Sequence, residues 1–185
     1  MGDRFQVIAD LDATTTDAAR LATRVTAWLA AEGVVLAERT PCVPGRPLGH
    51  PPGPHWERAV DDDWDRPPSD GLAVHTGRTG FTSGADLPDA AVCPRCRAVT
   101  PLDDTLWPRF HDAMRTWHDA GSATVACPVC AAPVAVPDWT WDDRPLAFAH
   151  LGFEFWNWPD LSDTFQARLT TLLDGHRTVY LWGGY

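Results

Sequence analysis

The sequence predicts an α+β domain in which two strand–helix–strand halves share one sheet and enclose a cysteine-containing insertion. Near each end of the chain an apolar helix pattern stands between strand patterns, and four cysteines lie in the segment that separates them. With 185 residues, 44% of them hydrophobic and 22% charged, the chain has the size and composition of one folded domain. We therefore expect a single α+β domain over residues 1–185.

The N-terminal half starts with the strand pattern Phe5–Leu11. The next apolar residues recur at i, i+4, i+7 and i+8, the spacing of one helix face, at Leu21, Val25, Trp28 and Leu29. This helix is expected to begin at a threonine cap within residues 14–16 and to end near Gly33. A second strand is predicted over Val34–Glu38, and a unit of this length implies a right-handed crossover between parallel strands.

Residues 41–70 form a proline-rich loop, because their prolines break any long helix or central strand. One short helical turn is expected within His55–Val60. The loop also carries His50 and the acidic run Asp61–Asp65, which is either a site for a divalent cation or basic partner, or a solvated, self-repelling segment. The carboxylates are not spaced around a glycine turn, which favours the second interpretation. Cys42 has no Cys-x-x-Cys partner and is expected to be a free structural thiol.

Leu72–Thr82 follows as a strand with a turn, or as a hairpin around Gly77. His75 alternates with Val74 in this pattern, so we expect a hydrogen-bonded sheet histidine rather than a metal ligand.

Two Cys-Pro-x-Cys pairs lie in the middle of the chain, at Cys93–Cys96 and Cys127–Cys130. Two tight turns with four thiolates are the arrangement that tetrahedral Zn²⁺ with sulfur ligands requires. The proline after the first cysteine of each pair fixes φ and helps to pre-form the turn. The spacing predicts a structural zinc site with Cys93, Cys96, Cys127 and Cys130 as ligands.

By these residues the segment resembles the zinc-ribbon group, whose members hold zinc between two such knuckles. The resemblance covers residues 90–135 and implies an inserted zinc-ribbon subdomain over residues 91–136. Arg97 and Ala131 depart from the group's pattern, because glycine usually stands at their positions. The gap between the knuckles is also longer than a bare ribbon needs.

A redox dithiol and a pair of disulfides are the alternatives for these cysteines. A redox Cys-x-x-Cys is expected alone at the start of a helix, and a second copy with the same proline does not fit that pattern. Disulfides need an oxidising compartment, whereas Met1–Arg4 shows no basic and apolar export signal and favours the cytoplasm. A catalytic zinc needs an open coordination position, and four cysteines leave none.

A helix is predicted between the knuckles, because apolar residues recur there at helical spacing and Gly121 follows them: Leu106, Phe110, Ala113, Met114 and Trp117. Three polar residues lie off this face, His111, Arg115 and His118, which indicates a solvent-exposed helix surface rather than a metal site.

The C-terminal half repeats the first. Strands are predicted over residues 134–136, 139–141, 146–156 and 177–182. A helix capped by Asp160 or Ser162 and ended by Gly175 shows the apolar face Phe165, Leu169, Leu172 and Leu173. Two tryptophan pairs spaced by two residues, Trp139 with Trp141 and Trp156 with Trp158, each share a strand face. We expect them in the core, with a solvent-exposed aromatic patch as the alternative.

The formal net charge is −10, and a loaded four-cysteine zinc site adds about −2. A chain this acidic repels phosphate backbones, which argues against nucleic acid. All fifteen basic residues are arginine, a composition typical of a high-GC bacterial gene. No apolar run reaches the ~20 residues of a membrane span.

No nucleophile elbow, P-loop, dinucleotide fingerprint or His-Glu-x-x-His motif is present. Asp10 and Asp12 are as consistent with ordinary surface carboxylates at a strand end as with a metal site. The sequence therefore favours a non-enzymatic cytoplasmic protein with a structural zinc that acts through contacts with a protein partner, in particular a basic one. The first alternative is a hydrolase or metal-dependent enzyme that uses His50, His55 and Asp61–Asp65. The second is a nucleic-acid-binding ribbon that uses four arginines: Arg95, Arg97, Arg109 and Arg115.

Overall fold

The computed structural model describes residues 2–84, 88–142 and 146–184. Its strands are β1 (Arg4–Asp10), β2 (Leu72–Thr82), β3 (Ala90–Val92), β4 (Val99–Pro101), β5 (Thr124–Ala126), β6 (Pro133–Ala135), β7 (Thr140–Trp141), β8 (Leu146–Trp156) and β9 (Thr178–Gly184). Its α-helices are α1 (Thr15–Ala31), α2 (Trp107–Ala120) and α3 (Asp163–Thr171). The predicted α+β fold class is confirmed.

The main sheet has the strand order β2-β8-β1-β9, and neighbouring strands are antiparallel. Because β1 and β2 are both antiparallel to β8, they run parallel to each other, and α1 lies in the connection between them. In the same way α3 connects β8 to β9, with β1 between those two strands. This is the split β-α-β order, in which each helix links parallel strands that are not adjacent.

The predicted strand at Val34–Glu38 is wrong, and the parallel strand that follows α1 is β2 instead. Gly33, at φ +73°, ends the helical segment. Val34 then donates its N–H to the Leu29 carbonyl, and the side chains of Val34 and Val35 are buried in the core under the helices. These β-branched side chains therefore pack in the core and do not form a strand of the sheet. The only pairing of this stretch within the described chain is one isolated bridge from Val35 to Pro52.

Helices α1 and α3 cover one face of the main sheet. The Thr14 side chain caps α1 by accepting from the Asp17 N–H, and Ser162 caps α3 by accepting from the Phe165 N–H. Both helical faces that the sequence predicts pack onto alternate residues of the strands, including Ile8, Phe153 and Phe155. A 3-10 helix at Trp56–Ala59 matches the short turn predicted in the proline-rich loop.

The second face of the sheet is covered by the C-terminal end of β2 and the N-terminal end of β8, which pair with each other. The register between these strands shifts between Thr76 and Thr79, so β2 is one bulged strand, and the predicted hairpin at Gly77 is wrong. Beyond the shift, the Phe81 ring lies directly on Gly152, where a Cβ would clash with it. Gly84 then pairs with Gly184 at the end of β9. The paired ends of β2 and β8 thus fold back over the sheet and bury a second core.

The segment between β2 and β8 builds a third core from two small sheets, of order β4-β3-β7 and β5-β6, and from α2. Helix α2 ends where Gly121 takes φ +84°, as predicted. Trp117 of α2 contacts Phe148 of β8 with ring centroids 5.3 Å apart, which joins this segment to the main sheet. His111, Arg115 and His118 are exposed.

The tryptophan pairs do not form an aromatic patch. Trp139, Trp156 and Trp158 are buried, and Trp141 is half-buried. The exposed tryptophans within the described residues are instead Trp182, at 67%, and Trp64, at 43%. None of the helices described combines the length and the apolar character that a membrane span needs.

Candidate metal centre

The four predicted cysteines converge on one point. Their sulfur atoms all lie within 4.8 Å of one another, so they can hold a metal ion. The Sγ atoms of Cys93 and Cys130 are 4.0 Å apart, and those of Cys96 and Cys127 are 3.7 Å apart. A disulfide needs a sulfur–sulfur distance near 2.05 Å, so the cysteines are not paired as disulfides here.

Each cysteine pair lies in the turn of a short hairpin, the first between β3 and β4 and the second between β5 and β6. The two turns have the same backbone hydrogen bonds. Arg97 donates its N–H to the Cys93 carbonyl at 2.9 Å, and Ala131 donates to the Cys127 carbonyl at 2.9 Å. The repeated sequence Cys-Pro-x-Cys therefore folds twice into one local structure, and the two copies face each other.

Arg97 and Ala131 both adopt the left-handed region, at φ +61° and φ +58°. A side chain there costs roughly 1–2 kcal/mol per residue, which explains why glycine is usual at this position of a knuckle. The sequence departure is thus accommodated by strain and not by a different turn.

We expect Arg97→Gly and Ala131→Gly each to stabilise the knuckle. The relief of strain is reduced by the greater freedom of glycine in the unfolded chain, so the expected net gain is about 0.5–1 kcal/mol in the free energy of unfolding. Urea denaturation of the metal-loaded protein measures this gain.

Val129→Gly is the matched control, because Val129 lies in the same turn as Ala131 with an exposed side chain and without a positive φ. This control should lose stability. A loss of stability in Arg97→Gly as well would show that the left-handed turn is not strained.

Backbone N–H groups favour thiolate in the second knuckle. The N–H of Cys130, followed by that of Val129, lowers the pKa of Cys127 to about 7. For Cys96 an N–H from Ala98 also favours the thiolate, but desolvation and the three neighbouring thiols outweigh it and raise the pKa of Cys96 to about 12. Four thiolates this close together need a cation to compensate their charge.

Cys42 does not join the cluster. It is a free, partly buried thiol that packs on the second face of the main sheet, with its sulfur against Gly71. This agrees with the predicted structural role.

The structure does not bring His50, His55 and the Asp61–Asp65 run together. The His50 ring contacts the Leu36 carbonyl at 3.0 Å, and the His55 ring lies 3.5 Å from the Glu57 carboxylate. Within residues 2–84, 88–142 and 146–184, the four cysteines are the only group of three or more His, Cys, Asp or Glu side chains placed to hold a metal.

Asp10 and Asp12 are bound by protein groups. Buried Asp10 accepts from the backbone N–H groups of Asp12 and Ala13 and contacts the His176 ring at 2.9 Å. Asp12 forms a two-oxygen ion pair with Arg177, whose hydrogen bond lowers the pKa of Asp12. These carboxylates fix the start of α1 to the start of β9.

The arginines proposed for nucleic-acid contact, at positions 95, 97, 109 and 115, are all exposed. The chain between residues 88 and 142 carries these four arginines against seven aspartates and no lysine. This segment is therefore acidic like the rest of the protein, which does not favour a phosphate-binding surface.

Of the buried polar pair His75 and Glu154, only the histidine was predicted from the sequence. His75 is the hydrogen-bonded sheet histidine that its position predicts, and its partner is Glu154, with Nε2 2.9 Å from the carboxylate. Both side chains are buried on the second face of the sheet. Alternation marks Glu154 only as a polar residue in an aromatic strand, so the pairing across β2 and β8 becomes visible only with the register.

Comparisons of the chain with protein-family models, with curated proteins and with solved structures found no match.

Proposed function

We propose that Cys93, Cys96, Cys127 and Cys130 hold one Zn²⁺ ion in a structural site. A tetrahedral ion with bonds of ~2.3 Å to sulfur places neighbouring sulfurs ~3.8 Å apart. The observed distances of 3.7 and 4.0 Å fit this geometry, and they carry the proposal. Four thiolates fill the coordination sphere, so the ion has no open position for water or substrate.

The role of this ion is to stabilise the fold. In the residues that the structure describes, the inserted segment has strands of two or three residues, one α-helix and a short 3-10 helix, and its core includes Cys93 and Cys127 themselves. Zinc bound by four thiolates adds on the order of 10 kcal/mol to the folding of such a unit.

Metal analysis of the purified protein tests this proposal. We expect one zinc per chain that stays bound under mild chelation. A second metal, lost on mild chelation, would instead favour the metal-dependent enzyme, and a metal-free protein with an unchanged fold would contradict the structural role.

We further propose that the protein acts in the bacterial cytoplasm, without catalysis, by binding a basic partner protein. The net charge of −10, made more negative by the loaded metal site, supports this proposal because it favours association with a cationic surface. The four cysteines are not joined in disulfides, which agrees with a reducing compartment.

Affinity capture from bacterial lysate at low salt, followed by mass spectrometry, tests the partner proposal. We expect a stoichiometric basic protein that is released as the salt concentration rises, because screening weakens exposed charge pairs. Recovery of no stoichiometric protein at low salt would contradict the proposal, and salt-dependent recovery of DNA or RNA would favour the nucleic-acid alternative.

A further inference from the structure

We propose that the outer edge of β9 is the docking site, where an extended basic segment of the partner protein adds to the main sheet as a further strand. This inference rests on the proposed function and names the surface that performs it. It is carried by an open strand edge, an exposed aromatic side chain on that edge and the acidic groups around it.

The backbone of β9 has N–H and C=O groups that point away from β1 and can pair with a further strand. The Leu11 N–H donates to the Arg177 carbonyl, so at residue 177 the peptide groups point towards β1. Hydrogen-bonding direction alternates along an antiparallel strand, so the peptide groups of Thr178, Tyr180 and Trp182 point away from β1. Within the described residues these three have no backbone partner on that side, and the only pairing of this edge is Gly184 with Gly84.

Among the residues described, this edge also lacks the usual protection against strand addition. Natural edge strands carry lysine, proline, a bulge or a covering element. The run Thr178–Trp182 is uncharged and free of proline, and its pairing with β1 continues without a register shift. The opposite edge is covered, because His50 pairs with Leu72 and Arg78 of β2 donates to the Asp119 carbonyl at the end of α2.

Trp182 supplies a hydrophobic contact beside the open edge. Its side chain is 67% exposed, the highest value among the large aromatic residues described. It lies on the same strand face as Tyr180, whose hydroxyl donates to the Gln6 carboxamide oxygen and is thereby fixed. An incoming strand would therefore meet a tryptophan, the residue type most enriched in the energetic centres of interfaces.

The charged groups around this face select a basic partner. Burial, together with the nearby carboxylates of Asp160, Asp163 and Asp61, raises the pKa of Tyr180 to about 12, while Arg4 opposes them. The three carboxylates and one guanidinium therefore all act on this face, and negative charge predominates. Asp160 forms an exposed 3.3 Å ion pair with Arg4, which compensates its negative charge. The charges of Asp163 and Asp61 are not compensated by Arg4 in this way.

A second copy of the chain suits this edge less well. Pairing of β9 with its own copy would bring two sets of the same three aspartates together, between chains that each carry a net charge of −10. A segment that alternates lysine or arginine with β-branched residues offers the opposite charge with the same backbone pairing. The charge complementarity commits the site to a basic segment of another protein.

Two variants with equal added charge test the site. Trp182→Lys removes the aromatic contact and places a positive charge on the edge, whereas Val99→Lys makes the same charge change at a residue of β4 that is 63% exposed. Both positions are exposed, so both variants should fold. We expect Trp182→Lys to lose the captured basic protein and Val99→Lys to retain it.

A defined probe gives the second measurement. A capped ten-residue peptide of alternating lysine and valine is added to the metal-loaded protein at low salt, and amide hydrogen exchange is followed by NMR. We expect the exchange of the Thr178, Tyr180 and Trp182 amides to slow by about tenfold or more. A peptide of alternating glutamate and valine should leave these amides unchanged.

The outcomes separate the two proposals. If Trp182→Lys retains the partner and the basic peptide leaves the β9 amides unprotected, the docking site is wrong while the partner proposal stands. If the wild-type protein captures no protein, the partner proposal fails first. If the wild-type chain is a dimer with these three amides already protected, a second copy occupies the edge and the inference is overturned.

Discussion

Replacement of Cys127 by serine is expected to abolish stoichiometric zinc binding and to unfold the inserted segment, while much of the main sheet stays folded. The buried side chain of Cys127 is both one of the four proposed ligands and a member of the core around α2. Its loss removes a large share of a binding free energy on the order of 10 kcal/mol, which is comparable to the whole stability of a typical domain. Zinc content and the dispersion of amide NMR signals from each part of the chain measure the effect.

The main sheet should survive because it has its own core. The face covered by α1 and α3 is built from residues outside the inserted segment, with Leu21, Phe153 and Leu169 fully buried among them. The contact of Trp117 with Phe148 links the two cores, so we expect NMR shifts at Phe148 without global unfolding.

Cys42→Ser is the matched control for this experiment. It makes the same atomic change at a thiol that lies outside the cluster, against Gly71. Its zinc content should stay at the wild-type value. A lower zinc content in Cys42→Ser, or full zinc and an unchanged melting temperature in Cys127→Ser, would refute the four-ligand assignment.

The sequence was most informative where the chemistry is local. The Cys-Pro-x-Cys repeat predicts the four residues that converge, because each turn is built by its own few residues. The faces of α1, α2 and α3 were equally visible, since a 3.6-residue period reports burial within a single segment. The positive φ of Arg97 and Ala131, by contrast, was not predicted, although glycine is usual at their positions.

Features that depend on distant pairing were less accessible. Val34 and Val35 have the composition of a strand, but the glycine before them turns the chain so that both are buried beneath the helices. The order β2-β8-β1-β9 interleaves the two halves, and no short pattern encodes which strand lies beside which. The open edge of β9 follows from that order, so Trp182 could not be distinguished from the tryptophans of the core in advance.

The second large effect is expected at Glu154, which lies on the second face of the main sheet. Its carboxylate contacts the His75 ring at 2.9 Å and Arg46 at 3.8 Å. The exposed fractions of the two paired side chains are 11% for Glu154 and 7% for His75. The Phe81 ring packs edge-on against His75, with the ring centroids 5.2 Å apart, and so limits the access of water to the pair.

Glu154→Ala should lower the free energy of unfolding by about 3–5 kcal/mol, because removal of one partner leaves a buried polar group without compensation. The substitution also leaves a cavity under the folded-back ribbon of β2 and β8. Urea denaturation at neutral pH measures the loss. Glu154→Gln, which keeps the volume and a hydrogen bond to His75, should lose much less, and equal losses in the two variants would show that packing rather than the pair is responsible.

The same pair should make stability depend on pH in the acidic range. Burial raises the pKa of Glu154, but the hydrogen bond and charge of His75, with smaller contributions from Trp156 and Arg46, outweigh it and hold the pKa below its ordinary value of 4.5. A carboxyl with a lowered folded-state pKa contributes stability that is fully present above the unfolded pKa and is lost as the pH falls through the folded one. The wild-type free energy of unfolding should therefore fall more steeply than that of Glu154→Gln below about pH 4.5, because glutamine does not titrate. Parallel curves for the two proteins between pH 6 and the acid transition would show that folding does not lower the pKa of Glu154.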